Sequence, residues 1–246
     1  MSNKRFFVNK IASGKAEISG EDFSHLISVL RLGRGDKVSV FNFEHGEFEA
    51  EIESIDKKSK IVVLNMGRKL KESEVYTAGI SAIISLIKKD KMEFVVEKLT
   101  EIGVDKILPV ASKRSVIKLK DAAKKGARWE KIIYSAVKQC GRIRMPELSP
   151  AAESIEKLDV PAGSDKFFVW EKEDKRFLID EAVKLTGKSR DVYFIIGPEG
   201  GFEESEAQAL KDKGFIPVSI GSTTLRAETA AVSAATVLAQ ALRRQA

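Results

Sequence analysis

Two rhythms of apolar and polar residues divide the chain. Over the first seventy residues, short runs rich in Phe, Val and Ile recur, at Lys4–Asn9, Lys15–Ser19, Asp36–Phe41, Glu47–Asp56 and Lys60–Asn65. The clearest lies within Glu47–Asp56. There Phe48, Ala50 and Ile52 alternate with Glu47, Glu49, Glu51 and Glu53, the period-two pattern of a half-buried strand. Ser13-Gly14 and Gly33-Arg34-Gly35-Asp36 separate runs as turns. One helix interrupts, with Phe23, Leu26, Ile27 and Leu30 at i, i+3, i+4 and i+7. Short strands at close spacing predict a small β-barrel.

Lys69-Leu70-Lys71-Glu72-Ser73-Glu74 is polar and reads as a linker, placing one domain at residues 1–70 and a second at 73–246. Beyond it strands alternate with helices. Ala78–Leu86, Lys106–Val110, Lys166–Trp170, Asp191–Ile196 and Ile216–Ile220 read as strands. Met92, Val95, Val96 and Leu99 form a helix face that Gly103 ends, and Trp129, Ile132, Ile133, Ala136, Val137 and Cys140 form a longer stripe. Glu204–Lys213 is a helix closed by Gly214, and Glu228–Arg244 is the last. Such alternation predicts an α/β domain with a mainly parallel sheet between helices.

Composition narrows the class. A chain of 246 residues that is 43% hydrophobic supports a core and excludes wholesale disorder. The single Cys140 excludes an internal disulfide framework and a Cys-rich metal site; His25 and His45 match no ligand spacing, so no metal is expected. The longest apolar stretch, Ala78–Ile87, is about half of a membrane span, and the first residues lack a signal-peptide core. A soluble protein of a reducing cytoplasm, without membrane contact, is expected. A net charge of +6, from 42 basic and 36 acidic residues, is compatible with a polyanionic partner.

Two segments carry candidate chemistry. In Ile195-Ile196-Gly197-Pro198-Glu199-Gly200-Gly201-Phe202, a buried strand runs into three glycines and then a helix. Glycines there permit close backbone approach to a ligand at a strand's carboxyl end. The same pattern also suits a tight turn with an acidic helix start. No Gly-Lys-Ser/Thr follows, and Glu199, Glu203 and Glu204 would repel a pyrophosphate. In Ser219-Ile220-Gly221-Ser222-Thr223-Thr224-Leu225-Arg226-Ala227-Glu228, a strand again leads through a glycine loop into an Ala-rich helix. Arg226 places a fixed positive charge beside that loop. A helix start with a surface Arg accounts for the pattern equally.

Gly-Pro-Glu-Gly-Gly-Phe at 197–202, followed by Leu225-Arg226-Ala227-Glu228-Thr229-Ala230, resembles the SPOUT methyltransferases and within them the RsmE family. That family methylates N3 of a uridine in small-subunit (16S) ribosomal RNA. The likeness continues through His25-Leu26, Val29-Leu30-Arg31 and Gly35-Asp36, through Glu97–Val104 and Ser112-Lys113-Arg114-Ser115, and through Arg128-Trp129, Gln139-Cys140-Gly141-Arg142 and Pro146. It spans essentially the whole chain, and five motifs stand in the right order.

The resemblance implies a PUA-like β-barrel that grips RNA, then a SPOUT α/β domain with a C-terminal trefoil knot, an exception to unknotted topology. It implies S-adenosylmethionine as methyl donor, held by Ile196, Gly197, Pro198, Glu199 and Gly200 of the first loop and Ser219, Ile220, Gly221, Leu225 and Arg226 of the second. Trp170 and Glu171, at the end of an earlier strand, are a third set. A homodimer is implied, with the small ribosomal subunit or its RNA as partner. Arg226 is the expected catalytic residue, stabilising charge on the uracil edge, with Glu199 or Glu228 as base. Where the family more often has Arg-Ile before Leu-Arg, this chain has Thr223-Thr224.

Arg5, Arg31, Arg34, Arg114, Arg142 and Arg144 are the arginines assigned to RNA phosphate, with Arg142 and Arg144, just past a helix, the preferred pair. His25 and Cys140 read as packing residues. Two other functions stay open: a non-catalytic ribosomal RNA-binding or assembly protein, and a SPOUT enzyme that methylates ribose 2′-O.

Overall fold

The computed structural model describes residues 4–73, 78–115, 117–120, 124–186 and 190–243. Glu74 of the expected linker and Arg244 of the expected last helix lie outside them. The chain forms two compact units, Met1–Val75 with Val137–Met145, and Tyr76–Ala136 with Pro146–Ala246.

The first unit is built on strands β1 (Arg5–Phe7), β2 (Ile11–Ala12), β3 (Lys15–Ile18), β4 (Lys37–Asn42), β5 (Gly46–Asp56) and β6 (Ile61–Lys71). They form one sheet in the order β1-β4-β5-β6-β3-β2, with β1 parallel to β4 and the other neighbours antiparallel. The described pairings do not join β1 to β2, so by hydrogen bonding the expected barrel is an open series. Ala50 and Ile52 of β5 are buried, as the alternation requires, beside Phe6, Ile18, Val40 and Leu64.

Two expectations for this unit need correction. The single helix is a short α1 (Gly20–Ser24) continued by a π-helical turn over His25–Val29. Its apolar side still turns inward through Phe23 and Leu26. The polar stretch from Lys69 is not all linker. Lys69 and Lys71 end β6, pairing with Phe48 and Glu47 across register shifts. This end of β6 is solvent-exposed, so no alternation marks it as a strand.

The second unit contains β7 (Ile80–Ser85), α2 (Lys89–Ile102), β8 (Lys106–Val110), most of α3 (Gly126–Cys140), β9 (Glu147–Leu148), β10 (Asp165–Val169), α4 (Leu178–Val183), β11 (Val192–Ile196), α5 (Glu204–Asp212), β12 (Ile216–Val218) and α6 (Ala227–Arg243). The sheet runs β12-β10-β11-β7-β8-β9, and every neighbouring pair is parallel. Every residue of β7 and β11 is buried, as in a sheet covered on both faces. Ala230, Ala231, Ala234 and Ala235 of α6 are buried, and α6 packs on α2, α4, β7 and β11. Gly103, at φ 100°, ends α2 as its sequence position predicts. Neither β9 nor α4 is marked by sequence periodicity, being only two and six residues long.

Candidate active site

Strands β12, β10 and β11 lie side by side and point the same way, so the loops leaving their carboxyl ends emerge together. These loops begin at Trp170, Gly197 and Ser219. Backbone hydrogen bonds tie two of them: Trp170 N donates to Val218 O at 3.1 Å, Ser219 N to Arg176 O at 2.8 Å, and Leu178 N to Ser219 O at 2.8 Å. Together they line an open cavity of about 810 Å³. Its wall includes Trp170, Glu171, Ile196, Gly197, Pro198, Glu199, Gly200, Ser219, Ile220, Gly221, Leu225 and Arg226, so every residue assigned to a cofactor from sequence meets there.

The glycines have separate reasons. A Cβ on Gly197 would lie 3.2 Å from the Phe202 ring, and one on Gly200 would lie 3.3 Å from the Arg114 side chain. Gly201 has φ +69°, a conformation that favours glycine, and its Cβ would approach Glu171 Oε1 to 2.5 Å, so the Glu171 side chain would have to move aside for a methyl. Gly221 is different: a Cβ there would touch no protein atom within 4 Å. Packing within the chain does not demand this glycine, which is part of the cavity wall.

The first loop is braced from behind. Arg114 Nη1 donates to Gly200 O at 2.9 Å, and Lys113 N donates to Glu206 Oε1 at 2.8 Å. The buried Glu206 also accepts from Glu203 N, completing the capping box that opens α5. On the Trp170 loop, the N–H groups of Lys175 and Arg176 hold the Glu173 carboxyl below the usual carboxylate range.

Charge in the cavity is uneven. Glu171, Glu173, Asp174 and Glu199 face it, against Lys91 and Arg226. Arg226 is exposed, and its guanidinium has no hydrogen-bond or ion-pair partner among the described residues. Lys91, near the start of α2, reaches two carboxylates at once, Glu199 Oε1 at 3.7 Å and Glu228 Oε2 at 3.3 Å. Glu199 Oε1 also accepts from Lys88 N at 3.3 Å. Glu228, in the first turn of α6, is not part of the cavity wall.

Comparison with known proteins decides the family. The RNA methyltransferase domain family matches residues 75–239, and the RNA methyltransferase PUA domain family matches residues 18–65. The ribosomal RNA small subunit methyltransferase E of Bacillus subtilis is 32% identical over 223 residues, covering 87% of this chain and 85% of that protein. The chain belongs to the ribosomal RNA small subunit methyltransferase E family.

Solved relatives agree in fold. A methyltransferase E from Neisseria gonorrhoeae, bound to S-adenosylmethionine, superimposes with a TM-score of 0.82 at 26% identity over 97% of each chain. A Legionella pneumophila protein assigned as a methyltransferase, solved with the cofactor SAM, gives 0.83 at 31% identity over 98% of each chain. This methyltransferase E family member thus has the expected α/β domain and the PUA-like N-terminal domain.

The arginines assigned to phosphate do not share one environment. Arg5 is half-buried: Nη1 donates to Val137 O at 2.7 Å, Nη2 to Arg142 O at 2.6 Å, and Nε pairs with Glu47 at 3.1 Å. Arg142 is only 6% exposed. Arg5 spends its guanidinium on carbonyls and Glu47, and burial keeps Arg142 from presenting one to a phosphate. Arg31, Arg34 and Arg144 are exposed, and Arg114 is exposed but engaged with Gly200 and Glu203. His25 packs beside Phe6 with ring centroids 6.0 Å apart, and Cys140 is half-buried, which suits the packing roles expected of them.

Lys91 is the residue that sequence reasoning missed. It sits in the polar run Lys88-Lys89-Asp90-Lys91, which reads as a solvated helix start, and its partners are more than a hundred residues away. Among the described residues no group of three or more His, Cys, Asp or Glu side chains is placed to hold a metal ion, and no helix is long and apolar enough to cross a membrane.

Proposed function

We propose that this chain transfers a methyl group from S-adenosylmethionine to N3 of a uridine in small-subunit ribosomal RNA. The observation that carries the reading is the convergence of the three loops, with every residue assigned to the cofactor, on one cavity in a member of this family. The residues present fit the cofactor. About 810 Å³ suits a ligand of its size. Trp170 of the cavity wall carries a buried Nε1 donor with no hydrogen-bond partner among the described residues. Four cavity carboxylates against two basic groups favour a ligand that carries positive charge.

S-adenosylmethionine supplies a methyl group on a positively charged sulfonium. The chain's own task is to bring a uracil edge in line with that methyl group and to stabilise the charge that develops as the N3 proton leaves. Arg226, exposed beside the cavity with an uncommitted guanidinium, is assigned the second task. Glu199 and Glu228 were candidate bases, but both are committed to Lys91. We therefore assign the rate to positioning and to Arg226, and the imide proton to solvent at the cavity mouth.

The PUA-like domain, residues 1–70 together with Val137–Met145 of the same compact unit, is assigned to RNA, with Arg31, Arg34 and Arg144 as phosphate contacts. Residues 73–246, apart from Val137–Met145, are assigned the chemistry, as a homodimer with the knot implied by the resemblance, in a reducing cytoplasm. The test is incubation with methyl-labelled S-adenosylmethionine and unmodified small subunits or their RNA, followed by digestion to nucleosides. Label in 3-methyluridine is expected. Label in a ribose-methylated nucleoside would overturn the choice of atom, and absence of both label and cofactor binding would overturn the enzymatic reading.

A further inference from the structure

Three elements that are distant in sequence meet at one ammonium group. Lys91 belongs to the first turn of α2, Glu199 to the loop after β11, and Glu228 to the first turn of α6. The ammonium of Lys91 lies within ion-pair distance of both carboxylates, at 3.7 and 3.3 Å. All three side chains are mostly shielded, with exposures of 24%, 23% and 15%, so solvent screens the charges less than at an open surface. Oε2 of Glu228 is buried and has no hydrogen-bond donor, leaving the Lys91 charge as its compensation.

We propose that Lys91 is a positioning residue for methyl transfer, acting through Glu199 and Glu228 rather than on the reacting atoms. This rests on the function proposed above. The Lys88 N–H and the Lys91 ammonium fasten Glu199, and with it the first glycine loop, to the start of α2. The same ammonium fastens the first turn of α6, and Arg226 lies two residues before Glu228. The cluster thus sets the distance between one wall of the cavity and the guanidinium that must meet the uracil. Without the cation, two carboxylates face each other uncompensated, and their repulsion displaces the loop and the helix start. A small misplacement of Arg226 is enough to lower the rate steeply, because alignment is what the site supplies.

The test compares the wild type with Lys91→Met and Lys91→Arg in the full-length chain. S-adenosylmethionine affinity is read by calorimetry, kcat and KM for small-subunit RNA by methyl incorporation, and folding by thermal melting. Lys91→Met is expected to lower kcat by about 10- to 100-fold, consistent with a loss of alignment. Its KM for RNA should stay within about threefold, its cofactor affinity should fall by less than kcat does because the displaced loop also lines the cofactor cavity, and Lys91→Arg should recover most of kcat because a guanidinium also spans two carboxylates. Unchanged kcat in a folded Lys91→Met protein overturns the proposal, and so does Lys91→Arg falling as low as Lys91→Met. A wild type that neither binds the cofactor nor methylates RNA would instead sink the function on which it rests.

Discussion

Arg226 is exposed beside a cavity whose other cation, Lys91, is held by two carboxylates. The two basic groups therefore have separable tasks. Replacing Arg226 by Ala is expected to reduce turnover by about 10²- to 10³-fold, the usual effect of removing one preorganised donor. Calorimetry on the same variant should give a cofactor affinity within about threefold of wild type, since the cavity walls remain. Equal losses in turnover and affinity would assign Arg226 to binding. The glycines and Arg226 were legible in the sequence because each lies at a strand-to-helix turn, where local pattern and chemistry coincide. Lys91 was not, because its meaning is created by partners that only the folded sheet brings near. Arg5 and Arg142 were misread for the opposite reason: arginine is mostly exposed in proteins, and sequence reveals neither the carbonyls that hold the Arg5 guanidinium nor the burial of Arg142.

Elements show the same contrast. Helix α2 and the strands β7 and β11 follow from their apolar spacing and from Gly103, because packing and pattern agree. The end of β6 and the π turn after α1 carry no such signal. Helix α3 ends on a tertiary cap that spacing cannot disclose: Arg5 supplies donors to Val137 O and Lys138 O from 132 and 133 residues away. Charged hydrogen bonds of this kind contribute about 1.5–3 kcal/mol each at most, with strong overlap between them. Arg5→Ala should therefore lower unfolding stability by about 2–3 kcal/mol, read by denaturant titration, while Arg31→Ala, exposed, should change it by less than about 0.5 kcal/mol. The loop after β10 makes a pH-dependent prediction. Glu173 is more acidic in the folded chain than when unfolded, owing to the N–H groups of Lys175 and Arg176. Its contribution is complete above the ordinary carboxylate range and is lost as pH falls through the lowered folded value. Protection factors for amide exchange at Lys175 and Arg176, which remove the intrinsic dependence on pH, should fall only on that acid descent, and in Glu173→Gln they should be lower already at neutral pH.

At the scale of the whole molecule, the division of the chain is the feature least visible in sequence. A polar stretch near residue 70 suggested one cut, with everything before it in one domain. The first unit instead includes Val137–Met145, which enters it after sixty-one residues of the second unit have intervened. Arg5 bonds to Val137, Lys138 and Arg142, and Lys138 pairs with Asp22 at 2.6 Å. A fragment ending at residue 75 leaves the Arg5 guanidinium, the Asp22 carboxylate and one side of the unit without these partners. Such a fragment is expected to unfold at lower denaturant than the same unit within the full chain, and adding a peptide covering 137–145 should recover part of the difference.

The discontinuity also orders events during synthesis. Domains commonly fold in sequence as they leave the ribosome, the amino-terminal one first. Here the amino-terminal sheet waits for residue 145 to emerge before its last segment can dock, while β7, α2 and β8 are already outside and able to pair. The nascent chain must therefore carry an incomplete first unit through the synthesis of about a quarter of its length, with the Arg5 side chain still in search of its carbonyls.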